Sequence, residues 1–180
     1  MPFSNVIKPT HLCNISCSYC YNDDVRQPVM ALDTLERTIS QTFIYAQKIP
    51  EAGPVDFIWH GGEPMVAGFD FFNHAIEFQK KHSQGRNYRN IIQTNGLLIN
   101  RKWIDFFKAN KFSISISIDG TKELHDKHRV TNSGKGTYDK VMEAIDLCIE
   151  QGIPPGACVV INKQNKNHVK EIYKLLHGKK

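Results

Sequence analysis

The 180-residue chain has no apolar run approaching the ~20 residues that a membrane-spanning helix needs, so no such span and no membrane partner is expected. Its opening stretch, Met1 to Thr10, lacks the charged and apolar regions of a signal peptide, so a cytoplasmic location is expected. Cysteine is scarce and odd in number: five in all, three of them within eight positions, which is not the even spread of a secreted disulfide framework. Internal repeats and low-complexity segments are missing, leaving one domain over residues 1–180. Charge of neither sign dominates: 23 Lys and Arg against 18 Asp and Glu give +5. The lysines are scattered, with the densest run from Lys163 to Lys180, and read as solvated helix faces, so nucleic acid is not an expected partner.

What is present suits one core, with 41% hydrophobic and 23% charged residues. Strand-like runs begin near Asn5, Val55, Tyr88, Phe112 and Ala157, and each precedes a helix-like pattern, which predicts a parallel sheet with helices packed outside it. Asp33 and Glu36 have capping-box spacing ahead of a stripe of Leu32, Leu35, Ile39 and Phe43. Further stripes are Phe72 and Ile76; Trp103, Ile104 and Phe107 after a cap at Asn100; Val141, Ile145 and Cys148 after Thr137; and Val169, Ile172, Tyr173 and Leu176. All are expected in the core. Full eight-unit barrels take ~250 residues, so this length predicts an α/β open partial (β/α) barrel of about five units with the sixth strand absent. Phe112, Ile114, Ile116 and Ile118 alternate with Ser113, Ser115, Ser117 and Asp119, which puts Ser117 and Asp119 at a polar pocket beside the strand's C-terminal end. Lys122 to Gly136 reads as a long loop.

Cys13, Cys17 and Cys20 leave three residues, then two, between thiols directly after the first strand, a spacing that converges three thiolates on one small inorganic centre. Structural zinc and electron-transfer clusters both usually take four protein ligands, so three leave a coordination position open. Cys148 and Cys158 fall on a helix stripe and in a buried-type strand, as small core residues. His11 as a fourth ligand would give a zinc-binding module, the leading non-enzymatic alternative.

The three-cysteine spacing, with Tyr19 just before the last cysteine, resembles the signature of the radical S-adenosylmethionine superfamily. Three further segments match in order at strand ends: Trp59-His60-Gly61-Gly62-Glu63-Pro64, Gln93-Thr94-Asn95-Gly96 and Ser117-Ile118-Asp119-Gly120. The likeness covers nearly the whole chain and is nearest to anaerobic sulfatase-maturating and related peptide-modifying enzymes. It implies a [4Fe-4S] cluster on the three cysteines whose open iron binds S-adenosylmethionine, and an oxidoreductase that forms a 5'-deoxyadenosyl radical to modify a protein or peptide side chain. The best match is conversion of a sulfatase cysteine or serine to formylglycine, with flavodoxin or ferredoxin as electron donor. Toward the cofactor, Tyr19 is carried over with the cysteine motif, Gly61 and Gly62 would let backbone approach, and Glu63 would face its ammonium group. Asn95 and Asp119 would meet ribose, Ser117 ribose or carboxylate, and Arg129, four residues after His125, the carboxylate. No general base is assigned, because in the relatives it lies beyond the matched part. That subgroup continues into a cysteine-rich region which this sequence does not contain, so the chain reads as a truncated product, silent or active, or as half of a split enzyme.

Overall fold

The computed structural model describes residues 3–22, 28–49 and 53–178. Met1, Pro2, Lys179 and Lys180, at the ends of the opening stretch and the basic run, lie outside them. Five parallel strands form one open sheet in the order β1 (Phe3–Ile7), β3 (Val55–Trp59), β4 (Tyr88–Thr94), β5 (Phe112–Ser117), β7 (Gly156–Cys158). They are the five expected runs. A second, antiparallel sheet pairs β2 (Ile15–Cys17) with β6 (Arg129–Thr131), aligning Cys17 with Arg129. No helix among the described residues is long and apolar enough to cross a membrane.

Periodicity explains the main helices. On α1 (Leu32–Gln47), Leu35, Ile39 and Phe43 are buried; on α2 (Gly68–His82), Phe72 and Ile76; on α3 (Arg101–Ala109), Trp103, Ile104 and Phe107. After α4 (Lys122–Asp126), helix α5 (Tyr138–Glu150) buries Val141, Ile145 and Cys148. These side chains join Phe57, Trp59, Ile92, Ile114 and Ile116 of the sheet in one core, whose apolar burial drives the fold. Asn100 caps α3, its side-chain oxygen accepting from the Trp103 N–H at 3.1 Å. The buried Trp59 ring N–H donates to Asn90, which exchanges bonds with Gln79, so this polar cluster is satisfied inside the core.

Several local expectations are corrected. Helix α1 starts at Leu32 after Ala31 with no side-chain cap; Asp33 accepts instead from the Thr34 N–H, and Leu32 is exposed. The segment from Lys122 to Gly136 is not a loop but contains α4 and β6. The start of α5 is capped from outside: Asp126 Oδ1 accepts from the backbone N–H groups of both Thr137 and Tyr138 at 2.8 Å. Gly136 leaves room for that carboxylate, because a Cβ there would strike it. On α6 (Val169–His177) only Ile172 is buried, while Val169 and Tyr173 are exposed. Cys158 is exposed on β7, not buried.

Candidate metal centre and cofactor site

The cysteine loop is laid against the end of the sheet by backbone bonds that extend the β1–β3 pairing. The His60 N–H donates to Ile7 O at 2.9 Å, Gly62 N–H to Thr10 O at 3.0 Å and Glu63 N–H to Leu12 O at 2.8 Å. Such close approach needs the glycines. A Cβ on Gly61, which has φ +139°, would lie 2.6 Å from the Thr10 carbonyl oxygen, and one on Gly62 would strike the carbonyls of His11 and Leu12. On its other side the loop is stitched to β6 by the β2 ladder and by Ser18 N–H donating to His128 O at 3.0 Å.

Each of the three sulfurs has an N–H directed at it: Asn95 Nδ2 at 3.8 Å from Cys13, Arg129 Nη1 at 3.8 Å from Cys17 and the Asn22 backbone N–H at 3.4 Å from Cys20. Donors of this kind stabilise thiolate bound to metal. In the protein by itself burial raises the pKa of Cys13, and that of Cys17 to about 11, with Arg129 opposing the rise at Cys17. A metal centre would displace those protons. Among the described residues no group of three or more His, Cys, Asp or Glu stands close enough together to hold a single metal ion. Cys13, Cys17 and Cys20 line one cavity of about 290 Å³ together. That arrangement, with one N–H per sulfur, fits a cluster, whose cysteines bind separate corners.

Tyr19, Gly61, Gly62, Asn95, Ser117 and Arg129 line the same cavity. Two motif residues do not. Glu63 is fully buried behind the wall: Oε1 accepts from Met65 N–H at 3.1 Å and Thr94 Oγ1 at 2.8 Å, and Oε2 from Asn95 N–H at 2.7 Å. It braces β4 against the turn after β3, and this corrects its placement at the cofactor ammonium. Burial lifts its pKa to about 7, against those three bonds. Asp119 is equally buried and accepts from Tyr19 OH, Arg129 Nε and Val160 N–H, which corrects its ribose role. Asn95 reaches the cavity, but its amide is engaged: Nδ2 donates to Asn14 at 2.7 Å and toward Cys13, and Oδ1 accepts from Leu97 N–H at 3.0 Å. These bonds tie it to the cysteine loop.

Other wall residues were not singled out from sequence. Gln93 of β4 donates to Ser117 Oγ at 2.9 Å; it stands two residues before Asn95, which follows the strand. His60 directly precedes the two glycines, accepts from Gly61 N–H at 2.6 Å and stacks with Tyr21; burial, then Lys8, lowers its pKa. Cys158 and Val160 close the side nearest β7, where the rule that ligands bind at strand C-termini would have found them.

The family model described as Radical SAM superfamily matches residues 7–176. A serine-type anaerobic sulfatase-maturating enzyme of Bacteroides thetaiotaomicron is 37% identical over 96% of this chain and 42% of its own length. A cysteine-type anaerobic sulfatase-maturating enzyme of Clostridium novyi is also 37% identical, over 95% of this chain and 47% of its own. The chain thus spans about half the length of the curated relatives it matches. A solved structure described as native anSMEcpe with bound AdoMet and Cp18Cys peptide matches with a TM-score of 0.87 at 33% identity, covering 99% of this chain and 48% of that one. Another, native anSMEcpe with bound AdoMet and Kp18Cys peptide, gives 0.88 at 33% identity over 99% and 49%. The radical SAM family uses a [4Fe-4S] cluster and S-adenosylmethionine, and the open parallel sheet matches the partial barrel of these structures. With its three-cysteine loop seated at the C-terminal end of that sheet and the family model matched from Ile7 to Leu176, this chain belongs to the radical SAM superfamily.

Proposed function

We propose that residues 1–180 form a radical SAM core which, with a [4Fe-4S] cluster and S-adenosylmethionine bound, supplies a 5'-deoxyadenosyl radical that oxidises a cysteine or serine side chain of a protein, a sulfatase by analogy with the relatives. The observation that carries this reading is the grouping of Cys13, Cys17 and Cys20, each with its own N–H donor, in the wall of a cavity that Gly61, Gly62, Ser117 and Arg129 also line. Cys13, Cys17 and Cys20 hold the cluster. The open backbone at Gly61 and Gly62 admits the methionine portion, where a side chain would close the approach. Arg129 faces the methionine carboxylate, for which its planar fork is suited. Ser117, tied to Gln93, offers a hydroxyl toward the ribose. The electron comes from a low-potential carrier of the flavodoxin or ferredoxin kind, and the reaction runs in the cytoplasm.

The test is anaerobic reconstitution with iron and sulfide, followed by electron paramagnetic resonance of the reduced protein with and without S-adenosylmethionine. A [4Fe-4S] signal that changes on adding the cofactor, with 5'-deoxyadenosine released, is the expected result. No cluster, or a signal indifferent to the cofactor, would refute the reading and favour a silent fragment. Formylglycine in a sulfatase peptide, read by mass spectrometry, tests the substrate separately.

A further inference from the structure

Asp119 follows β5 and joins parts of the chain that are far apart in sequence. Its carboxylate accepts from Tyr19 OH in the cysteine loop, from Arg129 Nε of β6 at 3.1 Å and from Val160 N–H beyond β7 at 3.1 Å. Its backbone is held as firmly. The Asp119 N–H donates to His125 Nδ1 at 3.3 Å, and its carbonyl accepts from Asn165 Nδ2 at 3.4 Å. With Nδ1 accepting, the His125 proton sits on Nε2 and is donated to Thr137 Oγ1 at 2.9 Å, whose hydroxyl in turn donates to Arg129 O at 2.9 Å. Asp119, His125, Thr137 and Arg129 therefore close a ring of hydrogen bonds, which fixes Arg129 at both its backbone and its side chain.

Only one member of the ring opens on the cavity through its charge. Asp119 has no exposed surface, whereas Arg129 lies in the cavity wall. Of the guanidinium's donors, Nε is taken by Asp119 and Nη1 points to Cys17 Sγ; the bonds found among the described residues leave Nη2 for a ligand. The Tyr19 ring, 5.5 Å from the guanidinium carbon, packs against the same group.

We propose that Asp119 is the positioning residue for Arg129, holding the guanidinium so that its free edge meets the carboxylate of S-adenosylmethionine; this rests on the reading of the cavity given above. Asp119 acts through Arg129 and touches no cofactor itself. The two work as a unit, so losing either one has the same consequence for the cofactor.

The test uses the reconstituted full chain and its D119N, R129M, R129K and D119N/R129M variants. Iron and sulfide content is measured first, then the affinity for S-adenosylmethionine from the change in the electron paramagnetic resonance signal. Binding of 5'-methylthioadenosine, which lacks the carboxylate, is measured by equilibrium dialysis. D119N and R129M are expected to keep their iron and to bind S-adenosylmethionine at least about tenfold more weakly, with the double variant no weaker than R129M alone. R129K, which keeps the charge and loses the fork, should be as weak as R129M. Binding of 5'-methylthioadenosine should not change. The inference is overturned if D119N binds S-adenosylmethionine as the wild type does, if the two losses add, if 5'-methylthioadenosine weakens equally or if R129K restores affinity. Loss of iron from D119N but not from R129M would also overturn it, by placing the role of Asp119 in the cysteine loop through Tyr19. A wild-type chain that takes up iron and sulfide yet ignores S-adenosylmethionine would instead overturn the reading of the cavity, and the inference with it.

Discussion

Glu63 and His125 are both fully buried, and burial drives their pKa values in opposite directions, Glu63 from 4.5 to about 7 and His125 from 6.5 to about 4. Between about pH 4 and 6.5 the unfolded chain protonates His125 and the folded chain does not, so this group makes stability rise with pH. Between 4.5 and about 7 the folded chain keeps the Glu63 proton and the unfolded chain has released it, so this group makes stability fall as pH rises. Each interval covers about two and a half pH units, worth about 3.5 kcal/mol at ~1.4 kcal/mol per unit, of which about 3 kcal/mol falls between pH 4.5 and 6.5. In the wild type the two slopes should largely cancel from pH 4.5 to 6.5. Glu63→Gln removes the falling slope and should leave a gain of about 3 kcal/mol over that range; His125→Gln removes the rising one and should leave a loss of similar size. Urea unfolding of the metal-free protein at several pH values, followed by fluorescence of the buried Trp59 and Trp103, reads this directly. Parallel pH profiles for the wild type and Glu63→Gln would refute the reasoning.

Three further outcomes are expected. Replacing Cys13, Cys17 or Cys20 singly with Ala should abolish iron uptake with the circular dichroism unchanged, whereas Cys148→Ala, buried on α5, should keep the iron and cost about 1–2 kcal/mol in unfolding experiments. Gly62→Ala should lose both iron binding and about 3 kcal/mol or more of stability, since its Cβ meets backbone that cannot turn aside; full iron content in that variant would contradict the packing described. Asp126→Ala uncaps two N–H groups at the start of α5 and should cost about 1–2 kcal/mol in thermal or denaturant unfolding, with iron content retained.

Helices α1, α2, α3 and α5 were legible in the sequence because each buries a stripe of regular period, and the five parallel strands because each apolar run precedes such a helix, although β7 itself is exposed. The same logic placed α6 but overstated its burial. Val169, Ile172 and Tyr173 share a face, but period says nothing about whether a neighbour covers it, and among them only Ile172 is covered. Strands β2 and β6 carried no readable signal: each has three residues, and their stability comes from pairing with each other across the chain. The site was legible as a set of strand ends and not as a set of orientations. The motifs brought Glu63 and Asp119 to the right place, but whether a carboxylate faces the cavity or turns inward depends on donors such as Asn95 N–H and Arg129 Nε, which come from other elements. His60 and Gln93 stood within the quoted motifs but were given no role of their own, and Cys158 was read as a core residue, yet all three line the cavity.

The pairing of β2 with β6 also sets an order of events during synthesis. Cys17 and Arg129 stand 112 positions apart, so the cysteine loop emerges from the ribosome well before the strand that shapes it. At roughly 5–20 residues per second, the thiols wait on the order of ten seconds for that partner. Iron delivered to the nascent chain in that interval meets three unorganised thiols; delivered after Thr131 has emerged and folded, it meets a formed cradle. The cradle in which Cys17 pairs with Arg129 is thus complete only once translation has passed the last residue of β6.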